Sequence, residues 1–274
     1  MIKLAAEKCT NCGLCEKICH EMAISISNGV LTIDKNLCST CSQCVAICPV
    51  QALLWDGQEP TRYATQNLPG PEQLDELFRE RRTTRYFKTE HIDRTIIENI
   101  VKYGINAPTN NYHLRAIVVD DQGIIKELEA IILSKVRLIY RLVMKPRLIF
   151  NLIRKFSPAL DPKDKIKIEE ALQRNSSLLS LPAAIVFVVG DKRIPLSEAS
   201  AQYSLSNMIY YAQSIGIGSC LRGAAQIFLN NSKSARKLLG IPSKDRIYGA
   251  LMLGYPAIRF SNKVNGKIIP IDWR

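Results

Sequence analysis

Residues 9–19 read Cys-Thr-Asn-Cys-Gly-Leu-Cys-Glu-Lys-Ile-Cys, and residues 38–49 read Cys-Ser-Thr-Cys-Ser-Gln-Cys-Val-Ala-Ile-Cys-Pro. Both strings have the spacing C-x2-C-x2-C-x3-C, and the second lies about 29 residues after the first, an internal duplication. Three cysteines at two-residue gaps wrap a tight loop around one iron–sulfur cubane, whose irons each need a thiolate. A fourth cysteine, three residues on, points away and ligates the other cluster. The spacing therefore predicts one [4Fe–4S] cluster on Cys9, Cys12, Cys15 and Cys48, and a second on Cys38, Cys41, Cys44 and Cys19. Zinc sites also use C-x2-C pairs, but a zinc ion takes four ligands and needs neither a third C-x2 step nor a crossed fourth cysteine.

Working outward, eight of the nine cysteines fall in the first 50 residues and only Cys220 lies elsewhere. Disulfides are rare in a reducing cytosol, so a dense local cysteine framework there points to metal binding. Lys3, Glu7 and Lys8 interrupt any secretory apolar core after Met1. No apolar run approaches the roughly 18 residues that a spanning helix needs. With 274 residues, 47% of them hydrophobic, the chain reads as a cytoplasmic globular protein with a core of useful size. Its formal charge of +12 lies downstream of residue 57, because Lys3, Lys8, Lys17 and Lys35 are matched by Glu7, Glu16, Glu21, Asp34 and Asp56. No nucleic-acid recognition motif accompanies this charge, so no nucleic-acid partner is expected.

Residues 1–57 resemble a bacterial-type two-cluster ferredoxin. His20 is a departure, standing where that family usually has proline after the fourth cysteine; eight cysteines already satisfy two cubanes without it. Residues 58–71, Gln-Glu-Pro-Thr-Arg-Tyr-Ala-Thr-Gln-Asn-Leu-Pro-Gly-Pro, read as a linker.

From residue 72 to 274, helical and extended patterns alternate. Helices are expected over Leu74–Arg82, Thr95–Tyr103 and Ser200–Ile215, the last ended by Gly216 and Gly218. Strands are expected over Ala116–Val119, Ala184–Val189 and Tyr248–Leu253. The mixture implies an α+β class. Ile131–Phe156 is apolar and basic with no acidic residue, inside a helical insertion spanning about 124–180. Arg137, Arg141 and Lys145 would share a helical face, and Pro146 would kink or end that helix. This segment reads as an insertion packed on a dimer, with a lid or a membrane-surface contact as the alternative.

Arg81-Arg82-Thr83-Thr84-Arg85-Tyr86-Phe87 groups the donors that a phosphate needs, although by composition alone it equally fits a solvated basic turn. The string resembles the R-R-S-x-R-x-F segment of the nitroreductase family of flavoproteins. Ala107–Asn111 is similar to that family's A-P-S-x-x-N loop, Ser206–Cys220 to its N-x-L-L-A-A-x-x-x-G-L-G-S helix and turn, and Leu253–Pro256 to its L-G-Y-P. The four motifs stand in the family's order and cover nearly all of residues 72–274.

That resemblance implies a nitroreductase-like α+β domain binding FMN at a homodimer interface. It places Arg81, Arg82, Thr83 and Arg85 on the phosphate, ribityl chain and ring edge. Asn111 falls at the loop asparagine with one residue deleted, and Gly223 where a backbone N–H faces the flavin N5. Arg259, Lys263 and Lys267 are candidates for the basic residue that completes the phosphate site. Where many members have Q-P-W in the loop that lines the ring and substrate side, this chain has His113-Leu114-Arg115, so their substrate preference does not carry over; Tyr112 and Arg115 are candidate substrate contacts, with surface roles as the alternative. Cys220 reads as a small buried hydrophobe. Each cluster with four thiolates carries about −2 and FMN about −2, which brings the assembled chain to a formal charge of about +6.

The expected activity is an FMN-dependent oxidoreductase passing electrons through two [4Fe–4S] clusters to FMN and on to a small organic acceptor: a nitroaromatic, a quinone or an unsaturated metabolite. Ferredoxin or NAD(P)H would be the donor, and no side-chain nucleophile or acid–base triad is required. The competing reading is an electron-carrier or docking protein whose flavin-like domain is not catalytic.

Overall fold

The computed structural model describes residues 2–107, 113–156, 162–173, 181–263 and 270–274. The chain divides between Gly70 and Pro71 into two compact units.

In the first unit, β1 (Ile2–Leu4) pairs antiparallel with β4 (Leu53–Trp55), with Leu4 opposite Leu53. Strands β2 (Ile24–Ser27) and β3 (Val30–Ile33) form a hairpin closed by Asn28-Gly29. Both turn residues have left-handed φ, 52° and 75°, the conformation that a two-residue hairpin favours and that Asn-Gly supplies. Two five-residue helices, α1 (Leu14–Ile18) and α2 (Gln43–Ile47), carry the third cysteine of each string. The duplication recurs in the backbone. Asn11 and Thr40, Gly13 and Ser42, and Met22 and Gln51 take left-handed φ at equivalent places, a conformation uncommon outside glycine. Ile2, Ile24, Leu31, Val45 and Leu53 pack with Cys15 and Cys44 into a small core.

The second unit is built on a four-stranded antiparallel sheet. Its strands are β5 (Arg115–Val119), β6 (Ala184–Asp191), β7 (Gly218–Leu221) and β8 (Asp245–Gly254), in the order β5-β6-β8-β7. Period-two alternation buries β6 on both faces, with Ile185, Phe187 and Val189 on one and Ala184, Val186 and Val188 on the other. A bulge next to Val188 shifts the register, Val188 facing Gly249 and Val189 facing Ile247. One face is covered by α5 (Gln122–Ile139), α9 (Gly223–Asn230) and α10 (Lys233–Leu238), through Ile125, Leu128, Ile132, Leu229 and Ala235. The other is covered by α4 (Arg94–Tyr103) and α8 (Ser197–Ser214), through Ile97, Ile100, Ala201, Leu205 and Met208. Asp93 and Asp121 cap α4 and α5 by accepting from the backbone N–H of Thr95 and Ile124.

Three expectations are corrected in detail. Helix α3 (Pro71–Glu80) stops before Arg81, because the β-branched Thr83 and Thr84 turn extended and pair with the sheet. Gly218 does not end α8; it opens β7, and Gly216, at φ 76°, makes the turn. The basic segment is not one helix. A π-helical turn over Tyr140–Met144 follows α5, with Lys145 N–H donating to Tyr140 O at 2.7 Å, and α6 (Arg147–Phe156) restarts after Pro146. Arg137, Arg141 and Lys145 therefore do not hold one α-helical register. Helix α7 (Pro162–Gln173) follows. No helix of the described residues is long and apolar enough to cross a membrane.

Candidate cluster and flavin sites

Cys9, Cys12, Cys15 and Cys48 line one pocket, walled by Leu4, Ile26, Leu31, Val50 and Leu53. The crossed fourth cysteine of the second string thus reaches the first three. Among the described residues no three His, Cys, Asp or Glu side chains converge closely enough for a single metal ion. The four thiols are brought to one apolar pocket by elements distant in sequence. Burial is the main cause pushing the Cys15 thiol up, with Cys12 and Cys48 adding to it. Cys44 is pushed up to about 11, first by burial and then by Cys41 and Cys38. Cluster binding must therefore displace protons from thiols that would otherwise keep them.

Local hydrogen bonds hold this geometry twice over. Ala23 N–H donates to Cys19 Sγ at 3.3 Å, and Ala52 N–H donates to Cys48 Sγ at 3.2 Å. The two crossing cysteines stand at the C-caps of α1 and α2 and receive equivalent backbone donors, the kind of contact that stabilises charge on a ligating sulfur. Asn11 Nδ2 donates to Gly29 O at 2.7 Å, tying the first cysteine loop to the hairpin. Cys12 and Cys41 are exposed at the tips of their strings. His20 is exposed and lies 3.3 Å from Glu21 Oε1.

In the second unit, three stretches distant in sequence meet at the β7 edge of the sheet. Thr83 bridges Ser219 in parallel, and Thr84 N–H donates to Ser219 O at 2.9 Å. Lys88 N–H donates to Tyr255 O and Ala257 N–H to Tyr86 O, each at 2.9 Å. Residues 83–88 are therefore clamped between β7 and the Tyr255-Pro256 turn. Gly218 is required there: a Cβ would stand 2.5 Å from Thr84 Oγ1 and 2.9 Å from Pro256 Cγ. Phe78 on α3 meets Tyr210 on α8 edge to face at 4.8 Å, fixing the helix that delivers Arg81.

The expected phosphate and ring contacts separate into distinct roles. Arg81 is half-buried, its N–H closing on Leu77 O at 3.2 Å. Arg82 instead donates Nη1 to the carbonyls of Arg79 and Arg81, at 2.7 and 2.9 Å, and so caps α3. Arg85 is exposed, and its charge reaches Cys220. Lys263 pairs with Glu76 on α3, and Arg259 lies on an exposed segment. Asn111, Tyr112 and Lys267 lie outside the described residues.

Gly223 opens α9 directly after β7. Nothing stands within 4 Å of where its Cβ would be, so space lies open before the start of the helix. Behind it, Arg222 makes a fork-like pair with Glu129 of α5, Nε to Oε1 at 3.2 Å and Nη2 to Oε2 at 2.7 Å. Glu129 is buried and Arg222 largely so, at 7% and 15% exposure. The sequence reading missed this pair. Its members lie 93 positions apart and no local spacing links them; the one signal available was an arginine beside the expected Gly223 turn. Residues 83–88 are thus pinned along β7, and Gly223 opens α9 just past the end of that strand.

Cys220 is buried in the sheet core, and burial raises its thiol pKa against the opposing charges of Arg85 and Arg222, leaving it a protonated hydrophobe. His113 places Nε2 2.8 Å from Ser197 Oγ, and the Ser197 hydroxyl donates to Ile194 O at 2.6 Å. Nε2 therefore carries the proton, while buried Nδ1 has no partner among the described residues. Burial lowers the His113 pKa below 6.5, with the Asp191 charge opposing, so the ring is neutral near pH 7. Arg115 pairs with buried Asp245, Nη2 to Oδ2 at 3.1 Å, a structural role rather than a free substrate contact.

Comparison with known proteins agrees with both halves. Residues 78–255 match the nitroreductase family model, and residues 8–53 match the 4Fe-4S dicluster domain. A ferredoxin-like protein in the nif region of Bradyrhizobium diazoefficiens is 41% identical over 54 residues, which cover 18% of this chain and 73% of that relative. A nitroreductase from Desulfitobacterium hafniense, solved with bound FMN, aligns at TM-score 0.56 and 19% identity over 74% of this chain and 100% of its own. A second, from Bacteroides fragilis and also solved with FMN, aligns at TM-score 0.53 and 20% identity over 73% of this chain and 98% of its own. At such identities the structural likeness concerns the fold. Matched over most of its length, with its motifs clamped together at one sheet edge, the chain belongs to the nitroreductase family and carries a 4Fe-4S dicluster ferredoxin domain ahead of it.

Proposed function

We propose that this chain is a cytoplasmic iron–sulfur flavoprotein oxidoreductase that carries electrons from two [4Fe–4S] clusters to FMN and on to a small organic acceptor. The observation that supports the reading is the clamping of residues 83–88 between β7, the strand that leads into Gly223, and the Tyr255-Pro256 turn. FMN, when bound, supplies the exchange between one-electron and two-electron chemistry. The chain's own groups bind and orient. Arg81, Arg85 and the Thr83 hydroxyl hold the phosphate and ribityl side, assisted by Arg259 and the downstream lysines. The Gly223 N–H would face the flavin N5, and the Arg222–Glu129 pair would keep that turn in place.

Cys9, Cys12, Cys15 and Cys48 hold one cluster, and Cys38, Cys41, Cys44 and Cys19 the other. A homodimer completes the flavin site, and the donor is a reduced ferredoxin or NAD(P)H. The sequence has no G-x-G-x-x-G after a strand, so a nicotinamide would have to stack on the flavin itself. Nitroaromatics, quinones and unsaturated metabolites are the acceptors to screen. Arg81→Ala tests the assignment: it should lower FMN occupancy while iron content stays intact, and unchanged flavin would contradict the placement of the phosphate.

A further inference from the structure

Helix α6 presents an apolar face that nothing among the described residues covers. Leu148, Leu152 and Phe156, spaced four apart on one side, are 86%, 60% and 82% exposed. Only Phe150 of this helix is buried, and Lys165 Nζ sits 5.0 Å above its ring, holding α6 to the body of the unit by that edge. Exposed Lys155 stands beside Leu148, with Arg147 and Arg154 further round the same flank, and residues 131–156 contain no acidic side chain. Ten residues cannot span a bilayer, but an amphipathic helix of this kind lies in the interface plane.

We propose that α6 docks the protein on an anionic phospholipid surface, with Leu148, Leu152 and Phe156 entering the headgroup boundary and the flanking cations meeting lipid phosphates. Charge decides between a membrane and a second copy of this chain. A twofold contact of this face with itself would set Arg147, Arg154 and Lys155 against their own counterparts. A negatively charged leaflet attracts the same groups, and their long stems can snorkel beside the apolar stripe.

The test is co-sedimentation of the holoprotein with vesicles of equimolar phosphatidylglycerol and phosphatidylcholine, against phosphatidylcholine alone. The expected result is at least roughly tenfold stronger binding to the anionic vesicles, weakened by salt. The double variant Leu148→Glu/Phe156→Glu should lose this binding with iron content, flavin content and oligomeric mass unchanged. Equal binding to both vesicles, or none to either, would overturn the proposal. A change of oligomeric mass in the variant would overturn it in favour of a subunit contact.

Discussion

Gly218→Ala probes whether residues 81–88 form a flavin-binding rim because β7 lets them approach. A Cβ at this position would meet Thr84 Oγ1 at 2.5 Å, Thr84 Cγ2 at 2.8 Å and Pro256 Cγ at 2.9 Å. Contacts so short force something to move, and both neighbours are held. Thr84 is buried and bonded through its backbone to Ser219, and Pro256 sits opposite Phe87. Overpacking of this kind costs about 1–3 kcal/mol. If the strain is relieved by lifting the 83–85 strand off β7, it appears in flavin affinity as about a 5- to 150-fold higher Kd. FMN titration of deflavinated protein by fluorescence quenching reads this directly, with iron content as a control for the first unit. Thr84→Ala removes two of the three obstructing atoms, so Gly218→Ala/Thr84→Ala should recover much of the loss, with Pro256 Cγ left as the residue of the clash. Wild-type affinity in Gly218→Ala would refute the reasoning. So would a defect that the second substitution fails to ease.

Cys48→Ser should disrupt the cluster of the first string, not the second, taking iron from about eight to about four per chain while flavin is retained; loss confined to the cluster of Cys38, Cys41 and Cys44, resolved by paramagnetic resonance of the reduced protein, would contradict the crossed set. Glu129→Ala leaves Arg222 nearly buried without its partner and should cost about 3 kcal/mol in a denaturant titration, with a parallel loss of flavin affinity; no change would show that the pair does not pin the Gly223 turn. His113 has a folded pKa below its unfolded value of 6.5, so its contribution is fully present above pH 6.5 and is lost as pH falls through the lower folded pKa. Thermal midpoints from pH 8 down to about pH 5 should therefore fall more for the wild type than for His113→Asn, and parallel curves would count against the burial argument.

The cluster strings were legible because their chemistry is local: cubane geometry imposes its spacing on consecutive residues. Spacing suggested the crossed assignment of Cys48, whereas its place in a pocket with Cys9 depends on β1 and β4, strands too short to show a period. The longer strands β6 and β8 were legible as apolar runs ended by Gly190-Asp191 and Gly254-Tyr255-Pro256, and α4 and α8 as helical stretches. Boundaries failed where tertiary pairing outweighed local preference. Arg81 and Arg82 continue a helical pattern, yet Thr83 and Thr84 are drawn onto Ser219, and α3 ends early. Gly218 looked like a helix stop because sequence cannot show that Thr84 and Pro256 crowd the position. Glu129 and Arg222, joined only by the fold, left no trace in spacing. The π-helical turn before Pro146 likewise depends on how Lys145 finds Tyr140 O.

The most direct test is an anaerobic absorbance spectrum with iron and released-flavin quantitation on freshly purified protein. The expected result is about eight irons and one FMN per chain, with cluster absorbance bleaching on reduction. Iron without flavin, even after FMN is added, would contradict the claim that the two units form one electron path.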